Sequence, residues 1–209
     1  MPEIRLEVHK KGVTVIADDE PVLHTTAAVL RQTKVRTGDN LSEDDLNELL
    51  LFCKEQSARR KAVSLLSRQG MSKKSLTRKL GGDEAAGIVA DQMEQAGYIN
   101  DLEYAKGRAE LLVNRRLHSP VHAEYELVAE GVARDIARQA VEETECDLYE
   151  NIRRLLDSRY RSKINQPGGI KKTVLALRRA GYRMEDIHAA LGDDFDIECE
   201  DVLPTWESE

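Results

Sequence analysis

The stretch Leu65-Leu-Ser-Arg-Gln-Gly-Met-Ser-Lys-Lys-Ser-Leu-Thr-Arg-Lys-Leu80 reads as the end of one helix, a break, and the whole of a second, shorter helix. Leu65 and Leu66 close an apolar face begun by Ala58 and Ala62, and Gly70 stops that helix. Ser72 supplies a side-chain oxygen for the unpaired N–H groups of the next first turn, and Leu76 and Leu80 stand one turn apart behind it. Further on, Ile88, Val89, Met93 and Ala96 make a third apolar face that ends at Gly97. Helix, short helix, helix is the local unit.

The unit recurs with a period of roughly 45 residues, the mark of a helical repeat array. A second copy opens at Asp101, with Tyr104, Ala105, Leu111 and Leu112 apolar, Ser119-Pro120 as cap and first helical residue, and Leu127 leading to Gly131 and Ile136. A third opens at Asp147 and carries Ile152, Leu155 and Leu156, then Pro167-Gly-Gly, then Leu177 to Gly181 and Ile187. Aromatic residues make up only 4% of the chain and charged residues 33%, which favours helices over a β-sandwich or barrel.

Upstream, Ile4–Val8 and Val13–Ile16 flank His9-Lys-Lys-Gly12 and predict a hairpin; Asp18-Asp-Glu-Pro21 predicts a further turn, with a third short strand over 22–26 and a helix over 27–32. Ser42, with Asp45 three residues on, predicts a capped helix from Glu43 to the Glu55 region. The expected fold is mainly α: three tandem three-helix repeats in an elongated curved array, preceded by a small β-hairpin-containing region. The expected divisions are an N-terminal region (1–40), a linker helix (41–56), repeats over 57–100, 101–145 and 146–192, and an acidic tail (193–209) too charged and too poor in apolar residues to pack.

Charge is distributed in blocks. Gln56 to Gly82 holds Arg59, Arg60, Lys61, Arg68, Lys73, Lys74, Arg78 and Lys79 and no acid, and Arg153 to Arg183 holds ten Lys or Arg against Asp157 alone. Glu124 to Glu150 is mainly acidic, and the net charge of −7 arises in the tail, where eight acids stand without a base. Two basic blocks on separate modules suggest surfaces that face a polyanion.

No Ser-His-Asp set, paired-carboxylate motif or nucleotide loop emerges, and Pro167-Gly-Gly-Ile-Lys-Lys172 lacks the phosphate-loop pattern although its lysines at a helix start suit an anion. An enzyme is not expected, nor a cofactor. His118 and His122 are four apart, but Ser119-Pro120 breaks the helix between them and no Cys or third His stands near; no metal site is expected. Gly97-Tyr98 and Gly181-Tyr182 could offer rings for base stacking, with packing against their own helices the plainer reading. Cys53, Cys146 and Cys199 are too widely spaced for a disulfide framework and are expected to be free thiols. The opening residues lack an apolar leader and no run reaches bilayer length, so a cytoplasmic protein with no membrane role is expected, acting as a monomer.

The motif Leu65 to Leu80, followed by Gly97-Tyr-Ile-Asn-Asp101 and Tyr104-Ala105, resembles the RecX family of RecA regulators. The resemblance extends through Glu126-Leu127 and Gly131-Val132 to Leu177, Gly181-Tyr182 and Ala190-Leu191, and upstream through Gly38-Asp-x-Leu-Ser42. It departs from the family pattern at Gln69-Gly70, Leu102 and Ser119-Pro120. The resemblance implies three helical units that lie in the groove of a RecA filament, bridge its protomers, contact DNA (single-stranded or duplex), and inhibit ATP hydrolysis and strand exchange, with effects on recombination, repair and the SOS response. The residues expected to meet the filament or DNA are Arg59, Arg60, Arg68, Lys73, Lys74, Arg78, Lys79, Arg115, Arg116, Arg154, Arg161, Lys163, Lys171, Lys172, Arg178 and Arg179. A helical scaffold for a protein partner, with no DNA role, is the alternative.

Overall fold

The computed structural model describes residues 1–10 and 12–192. Two compact units divide at Asn100/Asp101.

The first unit opens with an antiparallel sheet in the order β1 (Ile4–His9), β2 (Gly12–Ala17), β3 (Glu20–Thr25). Asp18 and Asp19 both take positive φ between β2 and β3, as a tight hairpin turn of this hand requires. A side chain at position 12 would bring its Cβ within 2.5 Å of the Thr25 carbonyl oxygen, so glycine is needed there for close approach. Ile4, Val13, Val15 and Ala17 pack on Val29 and Leu30 of α1 (Ala27–Thr33) and on Leu49 and Cys53 of α2 (Glu43–Leu66). Ser42 and Asp45 form the reciprocal cap at the start of α2.

The helix expected to close near Glu55 and the one expected through Ala58 to Leu66 are one continuous α2. Glu55-Gln-Ser57 offers neither Gly nor Pro to stop it, and its two ends serve different cores: Leu49 and Cys53 belong to the sheet, whereas Ala62 belongs to the next cluster. That cluster joins Ala62 and Met71 to Leu76 of α3 (Lys73–Leu80), Val89, Ala90 and Met93 of α4 (Glu84–Gln95), and Ile99. Leu76 is fully buried, a contribution of roughly 2 kcal/mol.

In the second unit α5 (Asp101–Glu110) runs into a π-helical turn, Leu111–Arg115, and is followed by α6 (Pro120–Ala129) and α7 (Arg134–Glu142). Ala105, Ala109, Leu112, Ala123, Leu127 and Ala137 are central to their core. Next, α8 (Leu148–Leu155) runs through a second π turn, Leu156–Tyr160, into α9 (Arg161–Ile164), and α10 (Gly169–Arg179) and α11 (Met184–Leu191) close a core built on Ile152, Leu155, Val174, Leu177 and Ile187. The two cores of this unit are stitched by polar bonds. Buried Asn151 donates to the Val113 carbonyl at 3.2 Å, Ser119 Oγ to Ala180 O at 2.6 Å, and Tyr182 OH to Leu117 O at 2.8 Å.

Gly97, Gly131 and Gly181 all take positive φ at helix ends, and the N–H of the residue after each reaches back to Met93, Leu127 and Leu177 respectively. Cys53 is buried and Cys146 exposed, both as free thiols; burial pushes the Cys53 thiol up. Cys199 and the acidic tail lie outside the described residues. Among the described residues no helix is long and apolar enough to cross a membrane.

Candidate nucleic-acid interface

Ser72 fixes where α3 starts: its hydroxyl accepts the Ser75 N–H at 3.2 Å while the residue itself is buried. With Leu76 turned into the core, Lys74, Arg78 and Lys79 are forced outward, and all three are exposed. None of these three takes part in an ion pair among the described residues. Lys73 differs. Its ammonium lies 2.6 Å from Asp91 and 2.7 Å from Glu94 on α4, and these two carboxylates hold its pKa well above the ordinary lysine range. Of the four cations, Lys73 fastens α3 to α4 and three face solvent.

On α2, Arg59 and Arg60 are exposed, as is Arg68 just beyond the helix. Arg59 donates to Gln92 Oε1 at 2.5 Å. Beside it lies an open cavity of about 600 Å³, lined chiefly by Arg59, Val63, Leu66, Met93, Ala96 and Tyr98. Tyr98 is 69% exposed, whereas Tyr182 is 4% exposed and spends its hydroxyl on Leu117. The same Gly-Tyr pair therefore packs in one place and presents a ring to solvent in the other.

In the second unit Arg115 and Arg116 are exposed at the end of the first π turn. Arg154 is exposed but donates to Asn114 O at 3.2 Å. Arg161 and Lys163 are exposed on α9, and Lys163 sits 5.7 Å above the Tyr160 ring, a cation–π contact that sequence reading missed. Tyr160, Lys163, Pro167, Gly169 and Lys172 line a cavity of about 300 Å³ at the start of α10. A Cβ on Gly169 would fall 1.7 Å from the Lys163 carbonyl oxygen, so the basic turn and the helix start approach as only glycine allows. Lys171, Lys172 and Arg179 are exposed and Arg178 half-buried. Positive charge, an aromatic ring and a helix N-terminus meet here, the elements that bind phosphate and stack on a base.

One acidic residue of the second unit, Glu130, is tied up within the unit. Glu130 accepts two bonds from Arg108 Nε, at 2.9 and 3.0 Å, a further one from Arg108 Nη2, and one from Tyr104 OH at 2.7 Å. Burial pushes the Glu130 carboxyl up, but those donors outweigh it and hold it below its ordinary value; Tyr104 is pushed up to about 12 by burial and by this carboxylate.

The turn ahead of α6 brings His118 and His122 together in spite of Ser119-Pro120, with ring centroids 4.7 Å apart and edge to face. Glu126, one turn along α6 from His122, joins them. The i,i+4 spacing of His122 and Glu126 was the available signal. Burial pushes the His118 pKa down.

No family profile matches the chain. A regulatory protein RecX of Stenotrophomonas maltophilia is 30% identical over 148 residues, covering 68% of this chain and 90% of that protein. One from Caldanaerobacter subterraneus is 26% identical over 186 residues, covering 85% and 90%. A regulatory protein RecX of Listeria innocua is 26% identical over 144 residues, and the match spans 54% of its length, about half. Among solved structures, a crystal structure of regulatory protein RecX superposes with a TM-score of 0.62 over 89% of this chain at 19% identity, and RecX from Lactobacillus salivarius with 0.58 over 66% at 18%. These two establish the fold. With the Stenotrophomonas relative covered almost from end to end at that identity, the chain belongs to the RecX family of regulatory proteins.

Proposed function

We propose that this protein binds the RecA–DNA filament in the cytoplasm and restrains RecA ATP hydrolysis and strand exchange, and through them recombination, repair and the SOS response. It does so by binding and performs no chemistry of its own. The observation that carries the reading is the outward set Lys74, Arg78 and Lys79 on α3, three unpaired cations within a stretch that holds no acid. A merely solvated helix face mixes signs. The second basic block, around Lys163 and Lys172, adds a ring and a helix start suited to phosphate and base. Two separate cationic modules on one chain contact a repeating polyanion with an effective-concentration advantage.

RecA ATPase on single-stranded DNA, measured with and without the protein, tests this directly. Inhibition that grows with protein concentration and weakens as salt rises is the expected result; an unchanged rate at every concentration refutes it. The apolar part of the cavity beside Tyr98 favours a second reading, a helical scaffold that grips a protein partner with no DNA role. Partner binding indifferent to salt, with no affinity for DNA, would support the scaffold instead.

A further inference from the structure

We propose that His118, His122 and Glu126 form a site for a divalent transition-metal ion, Zn²⁺ foremost, which clasps the turn ahead of α6 to the helix itself. The three ligand atoms lie within 4.8 Å of one another. Glu126 Oε1 is 3.6 Å from His118 Nδ1 and 3.4 Å from His122 Nε2. Tetrahedral zinc with bonds of about 2.0 to 2.1 Å sets its ligands about 3.4 Å apart, so two edges of the ligand triangle already have the required length. Three protein ligands leave the fourth position to water or to an anionic oxygen.

His118 Nδ1 is buried and makes no hydrogen bond, an arrangement that costs free energy unless something satisfies it. The backbone that aims this ring is held against its own preference. Leu117 takes φ +58°, a left-handed conformation costing roughly 1–2 kcal/mol in a residue with a Cβ. Four bonds hold the turn in place. Tyr182 OH donates to the Leu117 carbonyl at 2.8 Å, and His118 N–H to the carbonyl of Leu112, within the π turn, at 3.0 Å. Ser119 Oγ accepts the His122 N–H at 3.2 Å and donates to Ala180 O at 2.6 Å. Strain so firmly over-determined, beside a π turn, marks a place where side-chain direction matters.

The donor set also selects the ion. One carboxylate and two imidazoles suit Zn²⁺, Co²⁺ or Ni²⁺, whereas Mg²⁺ and Ca²⁺ take oxygen ligands. Ordinary pairing of a histidinium with Glu126 would also explain the two distances, and it makes the opposite forecast about metal.

The full chain, stripped with chelator, is titrated with Co²⁺ and followed by the visible absorption of tetrahedral cobalt. One equivalent is expected, displaced by Zn²⁺ and untouched by excess Mg²⁺, without the sulfur charge-transfer bands that would place the ion on cysteine. His122→Ala and Glu126→Gln change solvent-reaching side chains and should weaken binding at least about tenfold, since even outer-shell losses have that effect. His9→Ala with His24→Ala, the histidines flanking Thr14 on the sheet, should leave it unchanged. Zn²⁺ should raise the Tm of the parent chain by linkage. Absence of the cobalt spectrum with no Zn²⁺ effect on the parent Tm, or equal affinity in the parent and both α6 variants, overturns the proposal. RecA takes no part in the assay, so its outcome is independent of the filament reading.

Discussion

Replacing Lys74, Arg78 and Lys79 together by glutamine strips α3 of its outward cations and leaves Lys73 on Asp91 and Glu94 and Leu76 in the core. Glutamine forms helix about as well as lysine and arginine, so the fold should survive. Each phosphate contact on single-stranded DNA contributes about 0.7 to the slope of log K against log salt, so three lost contacts flatten the slope by about 2. Between about 50 and 200 mM salt the parent protein should then lose roughly 20-fold more affinity than the variant. Anisotropy titrations of labelled single-stranded DNA, free and RecA-coated, at several salt concentrations measure both slopes, with circular dichroism to confirm helicity. Equal slopes for parent and variant on both ligands would remove α3 from the interface.

Three further perturbations separate structural from binding charges. Lys73→Glu sets a third carboxylate beside Asp91 and Glu94 and should cost on the order of 1 kcal/mol; thermal melts should show a lower Tm that rising salt partly restores. Because Glu130 is held below the ordinary 4.5 in the folded protein, its stabilisation is complete above that pH and is lost as pH falls through the depressed value. Urea unfolding of the parent and Glu130→Gln should therefore differ most near neutral pH, and a gap that widens in acid would contradict the assignment. Deleting residues 193–209, which carry eight acids and no base, should tighten binding to single-stranded DNA at low ionic strength and change little at high, read in the same anisotropy titrations.

Helix starts and stops were legible because their chemistry is local. Ser42, Ser72 and Ser119 each bond an N–H three residues on, and Gly97, Gly131 and Gly181 take the left-handed cap, all within a few residues of where the pattern places them. The continuity of α2 was hidden because its apolar face changes partner midway, so two stretches of periodicity looked like two helices. Lys73 looked like one more surface cation because its partners Asp91 and Glu94 lie on another helix. Tyr98 and Tyr182 follow glycine in the same local context and meet opposite fates: Tyr182 packs and bonds its hydroxyl to the distant Leu117 carbonyl, whereas Tyr98 is exposed, and neither outcome is visible in the local sequence. The proximity of His118 and His122 is not legible in the sequence, because Ser119-Pro120 interrupts the helix between them and no Cys or third His stands near. That proline is the first residue of α6, where it starts the helix that carries both His122 and Glu126.

Under the proposed reading, the placement of charge along the helices indicates which helix starts would meet the polyanion. First turns here ordinarily follow the helix dipole, with Glu43, Asp44 and Asp45 on α2, Glu84 on α4, Asp101 and Glu103 on α5, and Glu185 and Asp186 on α11. Five described helices have no acid in the first turn, α1, α3, α6, α9 and α10; of these, α3 begins with Lys73-Lys74, α10 carries Lys171-Lys172 near its start, and the four-residue α9 begins with Arg161 as a continuation of the second π turn. A cation at the positive end of a helix costs roughly 0.3–1 kcal/mol when exposed. Asp91 and Glu94 offset that cost for Lys73, but Lys74 has no such carboxylate. An arriving phosphate removes the conflict, because it is attracted by the lysine and by the unpaired N–H groups of the same turn. At the start of α3 the unbound protein therefore carries an unfavourable local term at Lys74 that a bound anion would relieve. Local rules are broken in this way where function requires it.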